Sequence, residues 1–199
     1  MKQINPQIIK SIKEILRLGG VGVLPTDTLY GLVGPALDKK AVLRIYKLKK
    51  RSPQKPFIIL IAGLNSLESF GAILDSKTRA ILRQVWPNPI SVILQCPNLP
   101  KELFYMCPIN QTLAFRCPKE KWLHNLLKQT GPLVAPSANS EGAAPAETIA
   151  QAKVYFSDQV DFYLDVGTIK GEPSTLIAIR DGNVIIERQG QVKVEKIYG

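Results

Sequence analysis

The hydrophobic residues of this chain recur at two alternating spacings. Apolar side chains between Ile8 and Leu16 repeat at helical spacing and are followed by Gly19-Gly20, which predicts an amphipathic helix over residues 8–16 with a glycine stop. Residues 21–24 are apolar and predict a short strand. By the same criteria, helices are predicted over 38–51, 76–84, 121–129 and 148–156, and strands over 57–62, 91–94, 112–116, 133–135 and 162–166.

Local signals support the second helix and a C-terminal hairpin. Asp38 is a predicted N-cap, and the helix is expected to end before Ser52-Pro53 because a residue before proline disfavours helical backbone. Residues 174–180 and 184–188 are predicted to pair across Asp181-Gly182, a strong hairpin turn signal.

The alternation of helices and strands, with a terminal hairpin, predicts an α/β (α+β) fold, a twisted mixed β-sheet flanked by helices. No repeat or linker divides the chain, so residues 1–199 are expected to form a single domain.

Composition and charge narrow the class of protein. Of 199 residues, 45% are hydrophobic and 21% charged, enough for a core without metal or disulfide staples. Twenty-six Lys and Arg against sixteen Asp and Glu give a net charge of +10, which favours nucleotides, nucleic acid or another anionic partner. Residues 38–55 carry +7 of that charge, and about half of their lysines are expected to be an ordinary solvated helix face.

Cysteine usage and the N-terminus predict a reduced, cytoplasmic protein. Cys96, Cys107 and Cys117 are an odd number without a C-x-x-C pair, and the single histidine, His124, does not complete a zinc set with them. We therefore expect neither a disulfide framework nor a structural zinc site. The first residues lack the apolar core of a signal peptide, and no stretch reaches the about 20 apolar residues of a membrane span.

Two common catalytic or nucleotide-binding signatures are missing from the sequence. There is no G-x-x-x-x-G-K-[ST] loop, and residues 19–22 lack the third glycine of the dinucleotide fingerprint. A nucleophilic triad is not expected either, because His124 lies on a predicted amphipathic helix, where a surface or half-buried position is the more common one.

Polar and cationic side chains instead cluster at the ends of predicted strands and helices. Residues 49–56 carry cations where a helix ends, and Arg and Lys in such a place suit phosphate. In each segment the residues have an alternative, purely structural explanation, which is a helix cap, a solvated charged face, an Asx or Ser turn, or an edge strand. The four segments are residues 25–32, 49–56, 135–139, and 171–175 together with 187–190.

In this order the segments resemble the YrdC/Sua5 family, whose members make threonylcarbamoyl-adenylate for the tRNA modification t6A. The match runs from about residue 20 to 190, and residues 25–32 resemble the family's P-T-[DE]-T-x-Y-G-L. Lys49 and Arg51 match the family's K-x-R, and Ser137 and Asn139 match its S-x-N. Residues 86–89 resemble W-P-G-P, residues 116–118 resemble R-x-P, residues 173–175 resemble E-S-T, and residues 188–190 resemble R-x-G.

The resemblance implies a YrdC/RibB-like domain of the short bacterial type, without a C-terminal Sua5 domain. It implies a nucleotidyltransferase that forms threonylcarbamoyl-AMP and pyrophosphate from L-threonine, bicarbonate and ATP, with Mg²⁺ accompanying ATP and no metal held by the protein alone. Downstream t6A transfer proteins would be partners, and no membrane is expected. The implied residues are Thr28, Arg116 and Ser174 for threonine, Arg51, Lys55, Ser137, Asn139 and Arg188 for ATP, and Lys49 and Arg51 for catalysis. Asp27 or solvent would be the general base.

Some positions depart from the family pattern, and two other functions stay open. Asn88 replaces a glycine, Glu141 stands where serine is usual, Pro173 precedes Ser174 where Glu is usual, and Leu60 stands where longer members carry histidine. One alternative is a non-catalytic module that binds double-stranded RNA or tRNA through its basic stretch. The other is a YciO-like paralogue whose substrate has drifted.

Overall fold

The structure, a computed structural model, describes residues 4–106, 111–180 and 182–194. The sequence position Cys107 and the turn residue Asp181 lie outside these ranges. The helices are α1 (Pro6–Arg17), α2 (Lys39–Lys49), α3 (Ser76–Val85), α4 (Lys121–Thr130) and α5 (Ile149–Phe156), with 3₁₀ helices at Leu64–Phe70 and Lys101–Met106.

Nine strands within the described residues form one mixed sheet in the order β7-β1-β2-β6-β3-β5-β4-β8-β9. The β1–β7, β3–β5 and β4–β8 pairs are parallel and the other pairs are antiparallel. The strands are β1 (Gly22–Pro25), β2 (Tyr30–Pro35), β3 (Ile58–Leu60), β4 (Ile90–Gln95), β5 (Thr112–Arg116), β6 (Leu133–Val134), β7 (Phe162–Tyr163), β8 (Thr175–Arg180) and β9 (Asn183–Arg188).

Alternate residues of the central strands face two separate hydrophobic cores. On β3, Ile59 joins the larger core and Leu60 the smaller one, and on β6, Val134 and Leu133 divide in the same way. Side chains of α2, α3 and α5 pack in the larger core, whereas α1 and α4 pack in the smaller core. Helices therefore cover both faces of the sheet, which explains why its strands read as nearly continuous apolar runs.

The predicted fold class is confirmed, with differences at individual elements. Asp38 caps α2, its carboxylate accepting from the amides of Lys40 and Ala41, and β8 and β9 pair as the predicted hairpin. Strand β2 was not predicted, because its two glycines and its proline hide the strand pattern. Several strands are shorter than predicted, although pairing continues past β3, where the amide of Ile61 donates to the Arg116 carbonyl at 2.9 Å.

Two turns of the chain, one after helix α2 and one after strand β1, lie next to each other in the fold. Helix α2 ends at Lys49, and Lys50 takes the left-handed conformation with φ of 52°, so the chain turns sharply before Arg51. Strands β1 and β2 are joined by a tight connection over residues 26–29. Within the described ranges, no helix is long and apolar enough to span a bilayer.

Candidate active site

A cleft of about 170 Å³ opens where several strands end. Its walls come from the β1–β2 connection, the segment after α2, the last residue of β5, the segment after β6, and the β8–β9 pair. Four of these five parts are the polar segments of the sequence, brought together from both halves of the chain, and the fifth is Arg116 at the end of β5. The lining residues are Thr26, Thr28, Leu29, Tyr30, Gly31, Arg51, Pro56, Phe57, Ile58, Arg116, Ala135, Pro136, Ser137, Pro145, Pro173, Ser174 and Arg188.

Six of the nine residues implied by the resemblance line this cleft, and three do not. The cleft contains three arginines and no carboxylate side chain among its lining residues, so it favours an anionic ligand. The six that line it are Thr28, Arg51, Arg116, Ser137, Ser174 and Arg188, and the three that do not are Lys49, Lys55 and Asn139.

The β1–β2 connection presents a pair of hydroxyl groups to the cleft. Thr26 donates to the carbonyl of Leu29 at 2.7 Å, and its Oγ1 lies 3.0 Å from Oγ1 of Thr28. Because the Thr26 proton is already used, Thr28 is the donor of that contact. The lone pairs of Thr28 that remain can accept a hydrogen bond from an ammonium or hydroxyl group of a ligand.

A buried ion pair lies beside these hydroxyls. Nη2 of Arg116 is 3.0 Å from Oδ1 of Asp27, and the side chains are only 4% and 1% exposed. The same nitrogen donates a long hydrogen bond, 3.4 Å, to Thr26. Burial lowers the pKa of the Arg116 guanidinium, and the neighbouring Asp27 carboxylate opposes that shift. The pair thus fixes a cation at the cleft wall.

The ion pair leaves hydrogen-bonding capacity unused. The Arg116 Nη2 and Asp27 Oδ1 atoms are close, but the N–H bonds of Nη2 do not point at the carboxylate, so the contact is an ion pair without a hydrogen bond. Among the described residues, neither carboxylate oxygen of Asp27 has a hydrogen-bond donor and Nε of Arg116 has no acceptor. A buried guanidinium N–H without an acceptor is costly, and Arg116 lines the cleft. An anionic group of a ligand would satisfy it.

The β8–β9 hairpin supplies a second cation next to a serine. Arg188 donates through Nη2 to the carbonyl of Ser174 at 2.9 Å, while the Ser174 hydroxyl lies 2.8 Å from that of Ser91. Gly190 allows this junction, because a Cβ there would lie 2.6 Å from the carbonyl carbon of Ser174 and would clash with the carbonyl oxygen of Pro173. Ser174 and Arg188 therefore hold one fixed relation to each other.

Arg51 is held at the cleft by the turn after α2. Its Nε donates to the carbonyl of Lys55 at 3.2 Å and its Nη2 to that of Pro56 at 3.4 Å. The guanidinium carbon lies 5.4 Å from the centre of the Phe57 ring, which stacks in turn on Tyr46. A guanidinium has five N–H groups, so the remaining ones are available to a ligand.

Lys49 is buried beneath the loop that follows β6. It is 2% exposed, and its ammonium lies 2.6 Å from the Ser137 carbonyl, 2.7 Å from the Asn139 carbonyl and 3.3 Å from Oδ1 of Asn139. Burial, reinforced by the nearby charge of Arg51, lowers its pKa to about 8. The structure thus ties Lys49 to the protein's own oxygens, and Lys49 does not line the cleft.

Asn139 contributes to the same loop rather than to the cleft wall. Its Nδ2 donates to the carbonyls of Ser140 and Ala143 at 2.9 and 2.8 Å. Its Oδ1 accepts the hydroxyl proton of Ser137 at 2.6 Å. With that proton used, Ser137 presents only acceptor lone pairs to a ligand, which suits a ribose hydroxyl better than a phosphate oxygen.

Lys55, also implied for ATP, extends over the surface. Its ammonium lies 2.7 Å from Oε1 of Glu141, and the two side chains are 61% and 29% exposed. Its neighbour Pro56 lines the cleft. Lys55 is therefore close to the cleft in the chain, with its charge paired outside the lining.

Sequence reasoning missed several residues of this site. Phe57 and Ser91 belong to it through their contacts with Arg51 and Ser174, which no local pattern indicates, whereas Thr26 lies in the predicted segment 25–32 and its contact with Arg116 is what the sequence did not show. Asn88, which replaces a glycine of the family pattern, is not at positive φ, so its backbone does not require glycine. Its amide donates to the carbonyl of Cys117 at 3.2 Å, which joins the W-P-N-P segment to the end of β5.

The donor set of the cleft does not suit a metal held by the protein alone. In the described part of the chain, no group of three or more His, Cys, Asp or Glu side chains is arranged around a metal position. The carboxylate of Asp27, which follows the lining residue Thr26, is paired with Arg116. The cleft is built from guanidinium and hydroxyl groups, which bind anions and polar organic groups.

At the ends of several strands of a mixed sheet, three arginines and several hydroxyls surround one cleft, an arrangement that suits a small anionic molecule. The sequence model of the Sua5/YciO/YrdC family, described as "Telomere recombination", matches residues 14–190. This chain belongs to that family.

Individual relatives agree with this assignment. A threonylcarbamoyl-AMP synthase of Nitrosococcus oceani is 32% identical over 176 residues, covering 87% of this chain and 92% of its own length. The crystal structure of P. abyssi Sua5 complexed with L-threonine superposes with a TM-score of 0.86 at 27% identity over 98% of this chain, which spans 58% of the Sua5 chain. E. coli YciO superposes with a TM-score of 0.83 at 25% identity, over 98% of this chain and 95% of its own.

Proposed function

We propose that this protein is an L-threonylcarbamoyladenylate synthase, a nucleotidyltransferase that forms threonylcarbamoyl-AMP and pyrophosphate from L-threonine, bicarbonate and ATP for t6A modification of tRNA. The observation that carries the proposal is that one cleft contains all three residues implied for L-threonine binding and three of the five residues implied for ATP binding. The named synthases among its relatives support the same reaction.

In this proposal threonine binds between Thr28, Arg116 and Ser174. The free Nε–H of Arg116 would donate to the substrate carboxylate, which supplies the acceptor that the described protein atoms lack. Thr28 Oγ1 would accept from the substrate's amine or hydroxyl. The complex of P. abyssi Sua5 with L-threonine supports an amino-acid site in this fold.

ATP would lie on the side of the cleft formed by Arg51, Ser137 and Arg188. The two guanidinium groups would contact phosphate, and the Ser137 hydroxyl would accept from the ribose. In this proposal Lys49 and Asn139 act as positioning residues, because their polar atoms hold the loop that carries Ser137. Lys55 would join the phosphate contacts if its ammonium leaves Glu141.

The chemistry requires no covalent intermediate on the protein. Bicarbonate takes up a proton and loses water to give CO₂. The threonine ammonium loses a proton, and its nitrogen bonds to the carbon of CO₂ and releases a second proton to solvent, while the electron pair of one C=O bond moves to oxygen, forming a carbamate. A carbamate oxygen then bonds to the α-phosphorus of ATP, and the bond from that phosphorus to the bridging oxygen breaks, so pyrophosphate leaves with the electron pair. Arg51 and Arg188 would stabilise the charge that develops on the phosphate oxygens and hold the reactants in line.

Mg²⁺ would arrive with ATP as part of the substrate complex, held by phosphate oxygens and water. Bound there, it would neutralise charge on the leaving pyrophosphate. We further propose that the described sheet and helices act as one domain, in the cytoplasm. Contact with tRNA or double-stranded RNA, and with downstream t6A transfer proteins, stays a prediction from the sequence.

Pyrophosphate release tests the proposal and separates it from its alternatives. The full chain is incubated with Mg-ATP, L-threonine and bicarbonate, and each of the last two is then omitted in turn. A synthase releases pyrophosphate only when both are present. Release that is independent of threonine, or no release with all substrates present, contradicts the proposal and favours a YciO-like paralogue or an RNA-binding module, whose phosphate contacts would weaken steeply with added salt.

A further inference from the structure

Two segments that contribute residues to the cleft lining are joined by an exposed ion pair. Residues 51–57 contribute Arg51, Pro56 and Phe57 to the lining, and residues 137–145 contribute Ser137 and Pro145. The connecting pair is Lys55 with Glu141, at 2.7 Å. Both partners belong to the segments that flank the cleft, although neither side chain lines it.

Glu141 faces the cations of the segment after α2. Its carboxylate accepts a hydrogen bond from Lys55. That hydrogen bond, together with the charges of Lys55 and Arg51, lowers the pKa of Glu141, so the group is an anion at neutral pH. The charge of Glu141 also partly offsets the burial that lowers the pKa of Lys49. One carboxylate thus serves as counter-ion to a group of cations beside the proposed phosphate position.

The backbone fixes Glu141 while the partner side chain stays adjustable. The amide of Glu141 donates to the carbonyl of Lys49 at 2.8 Å, and Asn139 anchors the same loop through the carbonyl of Ala143. Lys55 is exposed and carries its ammonium on a flexible four-carbon stem. Its own carbonyl contacts Arg51, which lines the cleft. The Lys55 ammonium can therefore move away from Glu141 by side-chain rotation alone, without a change in the backbone.

We propose that Glu141 is a resident counter-ion that competes with nucleotide phosphate for Lys55 and so sets the affinity of the cleft for ATP. With Glu141 ionised, the Lys55 ammonium must give up a carboxylate before it contacts phosphate. The binding free energy that ATP gains from Lys55 is then only the difference between the Lys55–phosphate and the Lys55–Glu141 contacts. This inference rests on the proposed function for the identity of the ligand, but it concerns binding alone and not turnover.

ATP titrations by calorimetry, without threonine or bicarbonate, test the competition. The proteins are the wild type, Glu141→Gln, Lys55→Gln and the double variant, and Glu68→Gln, an exposed glutamate in the 3₁₀ helix at Leu64–Phe70, controls for the loss of one negative charge. An exposed ion pair predicts that Glu141→Gln tightens ATP binding about two- to five-fold. Lys55→Gln weakens binding, and the gain from Glu141→Gln disappears in the double variant.

The outcomes separate this inference from the proposed function. Equal ATP affinity of Glu141→Gln and the wild type overturns the inference, as does an equal gain in the Lys55→Gln background or in Glu68→Gln. Tighter binding that requires Lys55 supports it, even in a protein whose pyrophosphate release does not depend on threonine. A wild type that releases pyrophosphate only with threonine and bicarbonate, yet shows no effect of Glu141, sustains the function and refutes the counter-ion.

Discussion

Replacing Asp27 by asparagine should destabilise the fold strongly, because it leaves the Arg116 charge without its ion-pair partner. The two charged atoms are 3.0 Å apart, and both side chains are almost fully buried. At an effective dielectric constant of about 20, charges at this separation attract by about 5.5 kcal/mol, which the cost of desolvating both groups largely offsets. Removing one partner keeps the desolvation cost of the other, so Asp27→Asn should lower the free energy of unfolding by about 3–5 kcal/mol.

The assay is equilibrium unfolding in urea, with the midpoint and slope fitted for each variant. Glu187→Gln is a matched control, since it removes one partner of the Arg180–Glu187 ion pair, whose side chains are 65% and 35% exposed, and should cost less than about 1 kcal/mol. Because asparagine is nearly the same size as aspartate, no cavity is created. If Asp27→Asn loses no more stability than Glu187→Gln, the buried pair does not stabilise the cleft wall.

Three further predictions concern the cleft and the loop behind it. Arg51→Ala should lower the rate of pyrophosphate release about 10²–10³-fold. The control Lys47→Ala, on the exposed face of α2, should stay within about two-fold of the wild-type rate. Equal rates for the two variants would exclude the proposed role of Arg51. Gly190→Ala should lower the free energy of unfolding by about 1–3 kcal/mol and impair turnover, because its Cβ meets the Pro173 carbonyl; an unchanged melting curve would contradict this. Folding lowers the pKa of Lys49 from 10.5 to about 8, so the unfolded chain binds more protons than the folded one between these pH values. In that range the free energy of unfolding of the wild type, relative to Lys49→Met, should therefore rise by up to about 1.4 kcal/mol per pH unit. A difference between the two proteins that does not change with pH would refute this.

The fold could be predicted largely from local patterns. Helical spacing indicated α1, and Asp38 and the apolar run at residues 57–62 indicated the start of α2 and the position of β3. Strand β2 was hidden because Gly31, Gly34 and Pro35 weaken the strand signal, and its pairing with β1 and β6 holds it in place. Tertiary pairing therefore overrides local preference at this strand.

The site could be predicted only as a set of separate segments. The motif residues Arg51, Ser137 and Arg188 line one cleft, but their meeting depends on strand order that no short window contains. Lys49 was the harder case, because its place at the end of a basic helix indicated a phosphate contact and not burial against the protein's own oxygens. Its burial depends on oxygen atoms of Ser137 and Asn139, 88 and 90 residues further along the chain.

Incorporation of labelled carbon into a nucleotide is the sharpest test that this protein is a threonylcarbamoyladenylate synthase. The 199-residue chain is incubated with Mg-ATP, L-threonine and ¹⁴C-bicarbonate. Nucleotides are then separated and counted, and pyrophosphate is assayed in parallel. We expect a labelled adenylate in an amount equal to the pyrophosphate released, and its loss when threonine is omitted. Pyrophosphate release without labelled carbon in any nucleotide would contradict it.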